Sequence, residues 1–318
     1  DELATNGISY KIQESEFSRQ LEVPLDSEKE ALPSVLTAFS FLSQPRIDDL
    51  SKYQISKVLG RGKFSLVLLS KEEGLEPVAL RITRLKDAEG NKLSNISHED
   101  HHKSSLVAQS LSDHPCIMKT HRCFSSFQEI SILRETFSVE MRLDSKVVDF
   151  FTGYSYLSGF YFEECEYLSG LELVDELLSS KKTGPDSAQF VLANLIRMVK
   201  HLQQHRMIHR DLKLENIVLN AKGNLKLVDF GFAKIFDIGK ELRTRTRCGT
   251  PEYAAPEVYK GEHYKAFPVD IWSVGIIAYI IMTGGFPFYK KNKSELRREI
   301  VNKEPSYELP CFQGDLQS

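Results

Sequence analysis

The chain lacks several features that would place it outside a reducing compartment or in a membrane. Its five cysteines, Cys116, Cys123, Cys165, Cys248 and Cys311, are scattered without paired spacing. That argues against a disulfide framework and against a zinc site. No uninterrupted apolar run reaches the roughly 20 residues of a bilayer span; the best candidate, VGIIAYIIM at 274–282, is far shorter. No signal peptide, EF-hand loop, internal repeat or low-complexity tract is visible. Neither sign of charge dominates: 41 Lys and Arg face 44 Asp and Glu, for a formal net charge of −3. Nothing in that balance pulls the molecule toward nucleic acid or an anionic membrane. The chain opens on Asp1 rather than methionine, as a piece of a longer protein would. The expected location is cytoplasmic or nuclear.

What is present is 318 residues, 41% hydrophobic and 27% charged, enough for one large domain or two lobes with sizeable cores. Residues 1–52 read as a polar N-terminal extension with an apolar island, VLTAFSFL at 35–42, between Pro33 and Pro45. From Tyr53 the pattern changes. YQISKVLG and SLVLLS are β-rich runs around a glycine turn and predict a hairpin, and PVALRITRL predicts a third strand. SNISHEDHHKSSLVAQSLS (94–112) predicts a helix with Leu106, Val107, Ser110 and Leu111 near one face. Its three histidines, His98, His101 and His102, read as a solvated face rather than a metal site. Short apolar runs from 117 to 165 predict further antiparallel strands. DSAQFVLANLIRMVKHLQQH predicts a helix capped by Asp186 with Gln189 three residues on, placing Phe190, Leu195, Met198 and Leu202 on one side. PVDIWSVGIIAYIIMTGG is apolar nearly all round and predicts a fully buried helix.

Four motifs carry chemistry. LGRGKFSLV (59–67) places Gly60 and Gly62 where the backbone must approach a polyphosphate without a side chain in the way. Its position between two strands argues against a dinucleotide fold and a P-loop. MIHRDLKLENIVL (207–219) holds Asp211, which can accept or orient a hydroxyl proton. It also holds Lys213, which can neutralise a transferring phosphoryl group, and Asn216, an oxygen ligand for a hard divalent cation. LVDFGFAK (227–234) supplies a second such ligand, Asp229. CGTPEYAAPEV (248–258) closes the segment.

In this order the motifs resemble the eukaryotic protein kinases of the serine/threonine type. GRGKFSLV and DIWSVGIIAYIIMTGGFPF are similar to the calcium/calmodulin-dependent and calcium-dependent group. The resemblance implies an α+β, two-lobed fold: a small antiparallel β lobe with one main helix at 53–166 and a mainly helical lobe at 167–318. It implies ATP and Mg2+ as cofactors and a protein substrate with a serine or threonine acceptor. Gly60, Gly62 and Val67 would cover the nucleotide, and Arg81 would meet its phosphates. Cys165 would be the gatekeeper, with backbone groups of Glu166 and Leu168 reaching the base. Glu172 would reach the ribose or a basic substrate residue, and Glu172 and Glu215 together imply basic residues upstream of the acceptor. Asp211 would be the catalytic base, supported by Lys213 and Thr250; Asn216 and Asp229 would hold metal; Asp270 would brace the catalytic loop. Thr246 would be the regulatory phosphosite, its phosphate received by Arg210 and Lys234.

The chain departs from that pattern in four places. Arg81 stands where the family has a lysine. The helix acid that pairs with that lysine should fall at Ser104 or Ser105, and neither is acidic; Asp100 lies upstream. Residues 125–157 read as an insertion in the small lobe, either an added hairpin or a partner-binding loop, and with the extension it is a candidate contact for a regulatory partner. The large lobe stops at Ser318, short of the family's last helices and of the arginine that pairs with Glu257. Two readings therefore stand: an active kinase, and a catalytically weak or dead pseudokinase that binds nucleotide or scaffolds.

Overall fold

The computed structural model describes residues 46–47, 50–62, 64–71, 76–87, 89–91, 108–109, 111, 114–126, 145–155, 159–175, 185–236, 239 and 241–307. Strands β1 (Arg46–Ile47), β2 (Gln54–Arg61), β3 (Ser65–Lys71), β4 (Val78–Arg84), β5 (Thr120–Ser125) and β6 (Phe160–Glu166) form one sheet in the order β1-β5-β6-β4-β3-β2. Every neighbouring pair is antiparallel except β1 on β5. Alternation along the strands sorts the side chains. Leu66, Leu68, Leu80, Ile82, Phe124, Phe160 and Phe162 are buried together on one face with Tyr53 and Ile55. The intervening residues, Val67, Arg81, Glu163 and Cys165 among them, take the opposite face.

The expected hairpin and third strand are β2, β3 and β4. The run from 117 to 165 is not strand throughout. Helix α1 (Ser145–Phe151) interrupts it, with Val147 and Phe150 buried in the small-lobe core. Val147, Phe150 and Phe151 recur at helical rather than alternating spacing, which is why this piece of the insertion is neither hairpin nor loop. Phe150 and Phe151 pack on Phe160 at 6.0 and 5.3 Å. Of the helix expected at 94–112, Ala108 and Gln109 are helical, and Ala108 and Leu111 are buried; Ser104, Ser105, Asp100 and the three histidines lie outside the described residues.

The large lobe is built on α2 (Pro185–Gln204) and α4 (Ala266–Thr283). Leu195, Met198 and Leu202 of α2 and Val274, Ile277 and Ile281 of α4 meet in one core, against which Phe190 is partly buried. Because α2 starts at Pro185, Asp186 lies inside the first turn rather than at the cap; proline favours the first helical position because its missing N–H is not needed there. Helix α4 is not fully buried: Pro268, Ile271, Gly275 and Met282 form an exposed stripe at helical spacing. By length and composition it is the one helix among the described residues that could cross a membrane, but half of it is buried inside the protein, as a core helix would be.

Short elements run along the cleft side: β7 (Gly170–Glu172), β8 (Met207–Ile208), β9 (Ile217–Asn220), β10 (Leu225–Leu227) and β11 (Lys234–Ile235). Strands β7, β9 and β10 form one sheet, and β8 pairs with β11. Beyond them β12 (Arg243–Thr244) pairs with β13 (Tyr264–Lys265), flanking α3 (Pro256–Lys260), and α5 (Lys293–Asn302) follows α4.

Candidate active site

Between β8 and β9 the chain makes a loop that places three polar side chains where an apolar core would otherwise close. His209 is fully buried, and one ring nitrogen lies 3.2 Å from the Val228 carbonyl. Asp270, projecting from α4, accepts the backbone N–H groups of His209 at 2.7 Å and Arg210 at 2.9 Å. Those bonds hold Arg210 at a φ of 68°, a left-handed conformation uncommon for a side-chain-bearing residue. Arg210 is further tied by its Nε to the Phe232 carbonyl at 2.6 Å.

That bracing presents Asp211. Its Oδ1 accepts both the N–H (2.7 Å) and the hydroxyl (2.8 Å) of Thr250. Its Oδ2 faces Lys213 Nζ at 3.2 Å, and the same ammonium donates to the Thr250 hydroxyl at 3.0 Å. Asn216 Nδ2 donates to the Asp211 carbonyl at 2.9 Å. Asp211, Lys213, Asn216 and Thr250 thus form one network although Thr250 comes from another loop. Gly249 permits that approach: at φ +94° an added Cβ would fall 2.4 Å from the Arg210 carbonyl.

Asp229 stands next to this network, because the Val228 N–H donates to the Asn216 carbonyl at 2.9 Å. Asp229 Oδ1 accepts the Gly231 N–H at 3.1 Å and meets Arg81 Nη2 at 2.7 Å. Burial works to raise this carboxyl's pKa, but Arg81 and the Gly231 donor outweigh it and hold it below the usual range. Burial likewise opposes the charge on Arg81. The Asp229 and Glu163 carboxylates overcome that and raise its pKa above the ordinary guanidinium value. Arg81 Nη1 lies 3.5 Å from Glu163 Oε2. Sequence reasoning missed Glu163; the signal was in the β4–β6 register, which sets Arg81 opposite it. Because the Asn216 amide nitrogen is spent on Asp211, its oxygen is the atom left for a cation. With the Asp229 carboxylate that makes a hard-oxygen pair suited to Mg2+, which typically takes one or two protein carboxylates plus substrate phosphates. No cluster of three or more metal-binding side chains exists among the described residues.

A cavity of about 930 Å³ lies between the lobes. Gly62, Arg81, Asp211, Lys213, Asp229, Gly231 and Thr246 line it. Gly60, Val67, Cys165, Glu166, Leu168, Glu172, Asn216 and Thr250 do not appear on its walls. Gly60 and Val67 are joined to Arg81 through one rung of the sheet, Gly60 opposite Val67 and Val67 opposite Arg81. At the hinge the Glu166 N–H donates to the Lys119 carbonyl at 2.9 Å, so only its carbonyl can serve a base. The Leu168 carbonyl accepts the Gly170 N–H at 3.0 Å. The Glu166 side chain instead pairs with Lys226 at 2.7 Å. Burial pushes the Cys165 thiol up to about 12, so it is neutral.

On the large-lobe side, burial and the neighbouring carboxylates of Asp175 and Glu215 raise Glu172 above the usual range. These three form an acidic patch of which Asp175 was not foreseen. Thr246 is exposed. Of its two expected partners, Lys234 donates to the Thr244 hydroxyl at 3.3 Å and Arg210 is held by Phe232. The buried Thr244 hydroxyl also accepts the Thr246 N–H at 3.4 Å, so Thr244 links Lys234 to Thr246.

A family model described as the protein kinase domain matches residues 140–313, more than half of the chain. The chain belongs to the protein kinase family. Among curated proteins, it is 28% identical over 274 residues to serine/threonine-protein kinase SIK2 of Gallus gallus, covering 86% of this chain and 29% of that protein. It is 27% identical over 261 residues to serine/threonine-protein kinase SIK1 of Rattus norvegicus, covering 82% and 28%. The chain therefore spans less than a third of the length of these relatives. As a protein kinase domain it has the two-lobed α+β fold that the motif order implied.

Proposed function

We propose that the chain transfers the γ-phosphoryl group of ATP to a serine or threonine hydroxyl of a protein substrate. The observation that carries this reading is the Asp211 carboxylate on the cleft wall, gripped by Thr250 and Lys213, with the Asn216 amide bonded to Asp211 and Asp229 on the same wall. Asp211 orients the acceptor hydroxyl and takes its proton as the oxygen attacks. Lys213 lies where charge on the moving phosphoryl group needs a cation, and Thr250 fixes both side chains so that no reorganisation is needed at the moment of transfer. Asn216 and Asp229 would hold Mg2+, which when bound with the triphosphate neutralises phosphate charge. The Glu172, Asp175 and Glu215 carboxylates favour a substrate with basic residues upstream of the acceptor. The closer likeness to the calcium/calmodulin-dependent group rests on the glycine loop and the α4 sequence. Phosphorylation of Thr246 would place a dianion near the Lys234 ammonium and Arg210.

One observation favours the second reading, a pseudokinase: Arg81 already occupies an oxygen of Asp229 that a metal would use. The experiment measures transfer to a basic peptide and nucleotide-induced thermal shift for wild type, Asp211→Asn and Arg81→Lys. Under the kinase reading Asp211→Asn lowers transfer by at least about a hundredfold and keeps the thermal shift, while Arg81→Lys, which gives up the two-armed grip on Asp229 and Glu163, brings no gain in transfer. No transfer in wild type, with a large gain on Arg81→Lys, would establish the pseudokinase instead.

A further inference from the structure

Within the kinase reading, on which this inference rests, we propose that Glu163 is the positioning residue for Arg81. A carboxylate on a neighbouring strand thereby does the anchoring that the resemblance assigns to a helix acid. Arg81 and Glu163 are direct partners in the β4–β6 ladder, and directly opposed residues of an antiparallel pair share a face, with Cβ atoms about 5 Å apart. Both side chains are mostly enclosed, at 18% and 13% exposed. The guanidinium spans two acids at once, Nη2 on Asp229 at 2.7 Å and Nη1 toward Glu163 at 3.5 Å.

The identity of residue 81 follows from that geometry. A guanidinium has a rigid fork with donors on separate arms, so one arm can be held while the other works; an ammonium is a single point of charge. With Asp229 alone, Arg81 would be neutralised by the group that should hold metal, and would compete for it. With Glu163 as a second carboxylate the cluster carries a net negative charge, which retains Arg81 at the cleft wall. Arg81 and the Gly231 N–H both meet Asp229 at Oδ1, so Oδ2 is the oxygen that faces a cation. Ser104 and Ser105 offer hydroxyls and no charge. The anchor is consequently set by strand register.

The test is a double-mutant cycle on the full-length protein, with wild type, Glu163→Gln, Arg81→Gln and the pair. Each is read by the Kd of a fluorescent ATP analogue with Mg2+ and by separate KM values for ATP and peptide. Glu163→Gln is expected to weaken the analogue at least about fivefold and to leave the peptide KM within about twofold. In the Arg81→Gln background the same exchange is expected to change the Kd by less than about twofold. Glu163→Asp, which keeps the charge, should recover part of the loss. Wild-type affinity in Glu163→Gln overturns the proposal, and so does an equal loss in both backgrounds, because Glu163 would then not act through Arg81. A wild-type protein that neither binds the analogue nor transfers phosphate overturns the kinase reading and this proposal with it. One that does both while Glu163→Gln has no effect overturns this proposal alone.

Discussion

Asp270 reaches from the middle of α4 to the backbone of His209 and Arg210, and burial raises its carboxyl's pKa against the pull of those two donors and of the nearby His209 ring. Replacing it with alanine leaves two enclosed N–H groups without an acceptor, at a cost of roughly 2–4 kcal/mol. The expected outcome is a lower urea midpoint for Asp270→Ala together with loss of transfer, since Arg210 is released from its left-handed conformation next to Asp211. The pH dependences of Asp229 and Asp270 have opposite signs. Asp229, with a lowered pKa, contributes stability above its ordinary pKa that is lost as pH falls. Asp270, with a raised one, contributes stability at low pH that is lost as pH rises through its folded value. At this scale the sequence was legible where chemistry is contiguous: Asp211, Lys213 and Asn216 lie within six positions, so their types and spacing declared them. Glu163 and Thr244 were not, because their meaning depends on which residue the fold sets opposite them.

Helix α1 carries its own test. Phe150 is fully buried against Phe160, with the Arg84 guanidinium 4.7 Å above its ring. Phe150→Ala should cost about 3–5 kcal/mol, read as a fall in the thermal midpoint, without changing the peptide KM. Helix α2 carries another. His201 lies between His114 and His205, its ring centroid 4.3 and 4.4 Å from theirs and tilted to both. Burial, helped by those two rings, pushes its pKa down to about 3. Between that value and the unfolded value of about 6.5 the unfolded chain holds a proton that the folded chain refuses, so stability falls as pH falls through this window. His201→Gln should flatten the loss of thermal midpoint between pH 7 and 4. Elements with a clean period, β2 to β4 and α2, could be read from sequence. Helix α1 could not, because its helical spacing runs over only seven residues, four of them aromatic or branched and therefore strand-favouring. The exposed stripe on α4 was hidden for a related reason: an all-round apolar helix does not announce which side is covered.

For the molecule as a whole, the two lobes divide the work at the cleft. The large lobe brings Asp211, Lys213, Asn216 and Thr250 together through hydrogen bonds, with Asp229 alongside. The small lobe contributes Gly62 and Arg81, and its departures from the family lie in what surrounds that arginine. Chain order revealed the lobes because β-rich and helical runs are segregated in sequence. It could not reveal that Arg46 and Ile47, assigned to the extension, lie alongside Phe124 and Ser125 as the outermost strand of the small-lobe sheet. That strand has a practical consequence. A shortened version beginning at Tyr53 would strip the flank of β5 and leave its carbonyls and amides open to strands of other molecules, a recognised route to self-association. Expression trials aimed at a well-behaved, monodisperse sample should keep Arg46 and Ile47.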